Sequence, residues 1–173
     1  MIPLLKDNVY KAVTTMLDNS ITCIHSEEGA PMPDYPFVLL TLISDDPVGG
    51  EQTTIAVNDA STITGEGTTS YAQDYIAVVR IRFMDKAEND VSINSIAKSF
   101  EFGLRKQSSS RALYNNGLGL MSRTPLVPTP RKTDTEWISC YQIDCTFSYH
   151  LSDREIVADW IESVSLPVFK QIK

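Results

Sequence analysis

Two stretches of this chain alternate between apolar and polar side chains for longer than a small core can cover. Over residues 71–84, Tyr75, Ala77, Val79, Ile81 and Phe83 share one face while Arg80 and Arg82 emerge on the other. Over residues 136–150, Trp137, Tyr141, Ile143, Cys145, Phe147 and Tyr149 recur on one face against Gln142, Asp144, Thr146, Ser148 and His150. A period of two is the pattern of a strand. At about 3.3 Å per residue the second strand is roughly 45 Å long, against a usual strand of about 5 or 6 residues. Its ends overhang a single small core, and the economical cover for them is another copy of the same chain.

The rest of the pattern predicts what surrounds these strands. Residues 3–18 form a helix, with Pro3 suited to an early helical position, Leu5, Val9, Val13, Met16 and Leu17 along one face, and Asn19 as the stop. A short strand over 21–26 leads into GAPMPDYP, whose prolines and glycine forbid both helix and ladder. Residues 37–43, apolar except for Thr41, fit a strand buried on both faces. After them, residues 45–70 carry four glycines and many Ser, Thr and acidic residues. That stretch reads as a long polar loop, either a mobile arm or an extended hairpin with one short strand near 53–57, against the plainer reading of a disordered insertion.

Asn89 or Asp90 caps a second helix that reaches about Gln107 and turns Ile93, Ile96, Ala97, Phe100 and Leu104 inward. Arg105 and Lys106 then sit near its C-terminal end, where the helix dipole favours cations. A shorter helical turn over 109–114 ends at Asn116 and Gly117. LGLMSRTPLVPTPRKTDT reads as a strand fragment plus a connection, and residues 153–173 as an extended terminal segment. Together these elements make one α/β (α+β) domain over residues 1–173: a mixed, mainly antiparallel sheet of long strands packed against two or three helices.

Composition narrows the function more than the fold. The net charge of -7 argues against a protein that grips nucleic acid, because such affinity rests on Lys and Arg neutralising phosphates. It remains compatible with a surface along which DNA slides without sticking. No stretch approaches the roughly 18 uninterrupted apolar residues of a membrane span, and Lys6 and Asp7 fall where a signal peptide would need an apolar run. A cytosolic protein is therefore expected, unless a larger particle carries it out of the cell. The three cysteines, Cys23, Cys140 and Cys145, form no CxxC, and a buried reduced thiol is the reading for Cys145.

Candidate chemistry is sparse. VGGEQ and GEGTTS lack the lysine and the strand-to-helix setting of a phosphate loop, and there is no GxSxG or HExxH. His25 and His150 stand apart as polar residues on strand faces. Asp45, Asp46, Glu51 and Glu66 fall within the polar loop, while Asp144 and Asp153 lie on or after the second long strand. Acid and base work needs a concave, partly desolvated site, and these carboxylates occupy the most polar parts of the sequence. No catalytic, cofactor or metal site is assigned. Asp45, Asp46, Glu51, Glu66, Arg80 and Arg82 are instead candidate interaction residues, although alternate strand arginines also pair with acidic neighbours on a sheet face.

Three segments, PMPDYPFVLLTLIS, YIAVVRIRFMDKAENDVSINSIAKSFEFGL and WISCYQIDCTFSYHLSDREIVADWIESVSL, stand in an order of elements that resembles the bacteriophage tail terminators. The likeness is particularly to the neck terminator family of contractile-tailed phages. The resemblance implies a structural virion protein, not an enzyme, with a mixed α/β fold that forms a homohexameric ring at the head-proximal end of the tail. Its implied work is to stop polymerisation of the tail tube protein and to join the tail to a neck or head-completion protein, with a sheath protein as a further neighbour. DNA would pass through the lumen without specific binding, and assembly would take place in the host cytoplasm, with no cofactor and no membrane. The polar loop would reach a neighbouring ring. Two alternatives stand beside this reading: another head-completion or minor tail protein, and a carboxylate-dependent hydrolase.

Overall fold

The computed structural model describes residues 3–17, 21–26, 32–57, 67–133 and 136–157. Helix α1 (Pro3–Met16) is followed by strands β1 (Thr22–His25), β2 (Phe37–Val57) and β3 (Gly67–Lys86). A 3-10 turn over Ala87–Asn89 leads to helices α2 (Asp90–Gly103) and α3 (Gln107–Asn115). Strand β4 (Leu118–Arg123), the two-residue strands β5 (Val127–Pro128) and β6 (Arg131–Lys132), and the long strand β7 (Trp137–Val157) complete the order. The described strands form one mixed sheet in the order β1-β2-β3-β7-β4, with β5 and β6 also paired to β7. The fold is α+β, as expected.

Contacts divide the chain into two units, residues 1–48 with 74–150 and residues 49–73 with 151–173. The first holds the helices, the short strands and the inner portions of β2, β3 and β7. The second consists, among the described residues, of the remaining portions of those three strands.

In the first unit the sheet has two unlike faces. The helix face is built from alternate positions of β3 and β7: Ala77, Val79, Ile81 and Phe83 are at most 2% exposed, and Ile143, Cys145 and Phe147 are fully buried. Phe83 meets Phe100 of α2 with ring centroids 5.4 Å apart, and the Tyr141 hydroxyl donates to Asp90 at the start of the same helix at 2.9 Å. Leu5, Val9, Ala12 and Val13 bury the inner side of α1, each Leu or Val contributing roughly 1.5–3 kcal/mol. Thr14 and Thr15, on its outer side, return their hydroxyl bonds to the carbonyls of Tyr10 and Lys11.

The opposite face carries a smaller cluster of Phe37, Leu39, Met84, Ile138 and Cys140, against which Ile24 and Tyr35 pack. Residues 37–40 of β2 are therefore buried on both sides, as the apolar run predicts. β1 lies parallel to β2, with Cys23 opposite Val38 and His25 opposite Leu40.

Several expectations are corrected. The stretch read as a polar loop is strand over 45–57 and again from residue 67, so β2 and β3 run on as an extended hairpin whose residues 58–66 lie outside the described set. Nine intervening residues are too few for the crossover of a parallel pair, so these neighbours are antiparallel. Trp137, placed inward by alternation, is 57% exposed at the first position of β7, while Ile138 and Cys140 are buried in the second cluster. Helix α2 stops at Gly103, a poor helical residue, and Arg105 and Lys106 fall in the connection to α3 instead of in a last helical turn.

Neither Asn89 nor Asp90 caps α2 with its side chain: the Asn89 amide donates to Asp85, and Asp90 accepts from Tyr141. His25 is buried, with its ring 6.1 Å from that of Tyr10, and is not an open-face residue. The connection before β7 becomes β4, β5 and β6. Beyond Val157 the terminal segment lies outside the described residues.

Other expectations stand. Helix α3 ends at Asn116, and Gly117 takes the left-handed φ of 67° that favours glycine. Cys23, Cys140 and Cys145 are free and buried. Burial pushes the Cys145 thiol up to about 12 and the Cys23 thiol up to about 11.

Candidate functional site

The sheet face away from the helices carries the polar chemistry that the long strands bring together. Past the cluster around Met84 and Ile138, its residues change from apolar to charged. Arg80 of β3 forks onto Asp144 of β7, with Nε and Nη2 each donating to one carboxylate oxygen at 2.9 Å. Both side chains are about a quarter exposed, and the hydrogen bonds to Asp144 raise the Arg80 pKa. Asp144 is also held through its backbone: its amide donates to the Thr124 hydroxyl, and its carbonyl accepts from the Thr124 amide, each at 2.9 Å. The pair is therefore built on two strands and a connecting loop.

Two residues along β3, Arg82 faces an amide instead of a carboxylate. Its Nε donates to Gln142 Oε1 at 3.3 Å. Burial lowers the Arg82 pKa, and so do the positive charges of Arg131 and Arg80. Arg131 reaches this face from β6, where it stands opposite Ile138 of β7. Asp144 thus gives both of its oxygens to Arg80, and its charge also acts on Arg82.

A second polar group lies where β2, β3 and β7 pass residues 45, 74 and 150. The Tyr149 hydroxyl donates to Asp45 at 2.7 Å, and its ring stacks on Tyr75 with centroids 5.2 Å apart. Burial raises the Tyr149 pKa, and the Asp45 bond raises it further. His150 Nδ1 lies 2.9 Å from Asp74 in an exposed pair. Beside them runs an open groove lined by Val48, Ile76, Tyr114, Leu118 and Met121. A register shift between Leu120 and Ser122 leaves Met121 out of the ladder and 57% exposed.

The six candidate residues therefore separate. Arg80 and Arg82 share the open face, Asp45 is bound to Tyr149, and Asp46 is exposed on β2. Glu51 also lies on β2, and Glu66 is outside the described residues. Sequence reasoning missed Asp144 as the partner of Arg80 and Arg131 as a member of the cluster. Polar positions at the middle of two adjacent long strands were the available signal for the first; the second depended on the two-residue strand β6. No group of three or more His, Cys, Asp or Glu side chains among the described residues is arranged to hold a metal ion.

A search of curated proteins found no match. Residues 7–172, nearly the whole chain, match the family described as phage neck terminator protein, and the chain belongs to that family.

Proposed function

We propose that this chain is the subunit of a ring that terminates a phage tail. About six copies close into the ring, which caps the tail tube, stops its polymerisation and joins the tail to the neck or a head-completion protein. In a contractile tail the ring also meets the sheath. The whole chain acts as a single subunit domain whose role is carried by surfaces, not by catalysis or a cofactor, and DNA passes through the lumen without specific binding. The mature protein resides in the tail or neck of the virion and assembles in the host cytoplasm.

Family membership over residues 7–172 carries this reading. The physical features support it. Strands of 20 and 21 residues exceed what one small core needs. Half of the sheet face away from the helices is charged and half-exposed, a surface suited to protein partners. Asp46 and Glu51 on β2, Glu66, and Arg82 on the open face are the proposed contact residues; Asp45 and Arg80 position their surroundings through Tyr149 and Asp144.

The deciding experiment measures solution mass across a concentration series, images the heaviest fraction by negative stain, and adds that fraction to polymerising tube protein. Rings with a central hole that arrest tube growth are expected. A monomer at every concentration that leaves tube length unchanged would refute the proposal.

A further inference from the structure

One long stretch of this chain is acidic without any basic residue. Residues 12–79 contain ten Asp and Glu and no Lys or Arg, whereas residues 80–173 mix thirteen Lys and Arg with eleven Asp and Glu. The acidic block includes β2 and the start of β3, so the hairpin stretch 45–66 bears Asp45, Asp46, Glu51, Asp59 and Glu66 with no basic residue between them. The mixed remainder supplies the arginines of the open face. An unlike pair of surfaces on one molecule favours head-to-tail contact over a self-complementary patch, and head-to-tail contacts generate rings when the rotation closes.

The arginine cluster has the form of a receptor for a carboxylate. Arg82 is partly buried between strands and donates to the neutral Gln142 oxygen, while Arg131 projects from β6 onto the same face and is exposed. Asp144, whose charge also acts on Arg82, already gives both oxygens to Arg80. Val127, opposite Gln142 in the ladder and 48% exposed, adds an apolar rim. An incoming carboxylate would offset the mutual repulsion of Arg82 and Arg131 and could accept hydrogen bonds from both guanidinium groups.

We infer that the ring closes head to tail, with Arg82 and Arg131 of each copy receiving carboxylates from the acidic β2–β3 hairpin of the next copy. This assignment rests on the ring-forming reading above and names the surfaces that would build it. Asp46, exposed on β2, and Glu51, further along the same strand, supply the accepting carboxylates. Because the contact is between charges near solvent, salt screens it.

Three variants of the full chain test the pairing: Arg82→Glu with Arg131→Glu, Asp46→Lys with Glu51→Lys, and all four changes together. Each reversed pair should raise the concentration for half-assembly at least about ten-fold, and the fourfold variant should restore rings. Arg131→Glu alone, at an exposed position, should weaken assembly while preserving the circular dichroism spectrum and the unfolding midpoint, which guards against misfolding at Arg82. Rings unchanged by Arg131→Glu and by the double reversal would overturn the inference and leave the ring reading intact. So would failure of the fourfold variant to recover what the pairs lose, or a wild-type mass that saturates at a dimer. Rings that persist in the arginine variants but no longer cap tubes would assign the cluster to another tail protein. A wild type that is monomeric at every concentration and salt would refute both readings together.

Discussion

The two faces of the sheet in the first unit are made from the same two strands, yet they solve different problems. On the helix face, Ala77 through Phe83 and Ile143 through Phe147 repeat one apolar theme under α2. On the other face, consecutive outward positions of β7 pass from Ile138 and Cys140 to Gln142, Asp144, Thr146 and Ser148. The helix face buries enough area to specify the fold. The open face is apolar only where Phe37, Met84 and Ile138 meet, and elsewhere carries charges that a packed core could not accept unpaired. Stability is therefore expected to concentrate on one side of the sheet and recognition on the other.

The sharpest way to break this comparison is to empty one position on each face. Phe147→Ala, fully buried beneath the helices, should lose about 3–5 kcal/mol. Ile138→Ala, at 3% exposure in the smaller cluster, should lose roughly 2–3 kcal/mol, because a cluster near the edge of its face can collapse around the gap. Urea denaturation of both variants measures the difference. Equal losses would show that the open-face cluster is as essential to folding as the helix face.

Alkaline pH provides a second probe, directed at the buried thiols. Cys145 on the helix face and Cys23 on β1 have folded-state pKa values raised from the ordinary 9.0 to about 12 and about 11, mainly by burial. Raised values mean that their stabilising contribution is full below pH 9 and is lost as pH rises through 11 and then 12. The slope for each thiol is at most about 1.4 kcal/mol per pH unit. Urea midpoints should fall between pH 9 and pH 11, and Cys145→Ala should flatten that decline even though it lowers stability at neutral pH. A variant with the wild-type slope would remove Cys145 as a source of the alkaline loss.

Much of this arrangement was readable before the structure, and the failures share a cause. Alternation identified the inward residues of β3 from Ala77 to Phe83 and of β7 from Tyr141 to Tyr149, because a single period of two is sufficient where one face is consistently covered. It misplaced Trp137, since periodicity shows which side of a strand a residue takes but not how far along that side the cover extends, and Trp137 stands at the very start of β7. The strand over 45–57 was hidden by Pro47, Gly49, Gly50 and a run of polar residues, whose local preferences are those of a loop and are overridden by pairing along the hairpin. Likewise β5 and β6 have too few residues to show any period, and they exist through their pairing with β7. The interaction residues followed the same division. Arg80 and Arg82 were placed on the correct face, but only the register of adjacent strands distinguishes the arginine that meets Asp144 from the one that meets Gln142.

That distinction yields the smallest and most selective test. Arg80→Gln removes two charged hydrogen bonds from a pair about a quarter exposed and leaves Asp144 partly desolvated, so the fold should lose roughly 1–2 kcal/mol. Arg82→Gln, two residues away on the same face, removes a cation whose charged neighbours include Arg80 and Arg131, and gives up one long bond to a neutral amide. Relief of repulsion offsets that bond, and the change in folding stability should stay within about 0.5 kcal/mol. Measured under conditions that keep the protein monomeric, the two variants should therefore differ despite identical chemistry of substitution. If Arg82→Gln proved as costly as Arg80→Gln, Arg82 would belong to the machinery of folding, and the open face would lose the residue that most clearly sets it apart from the helix face.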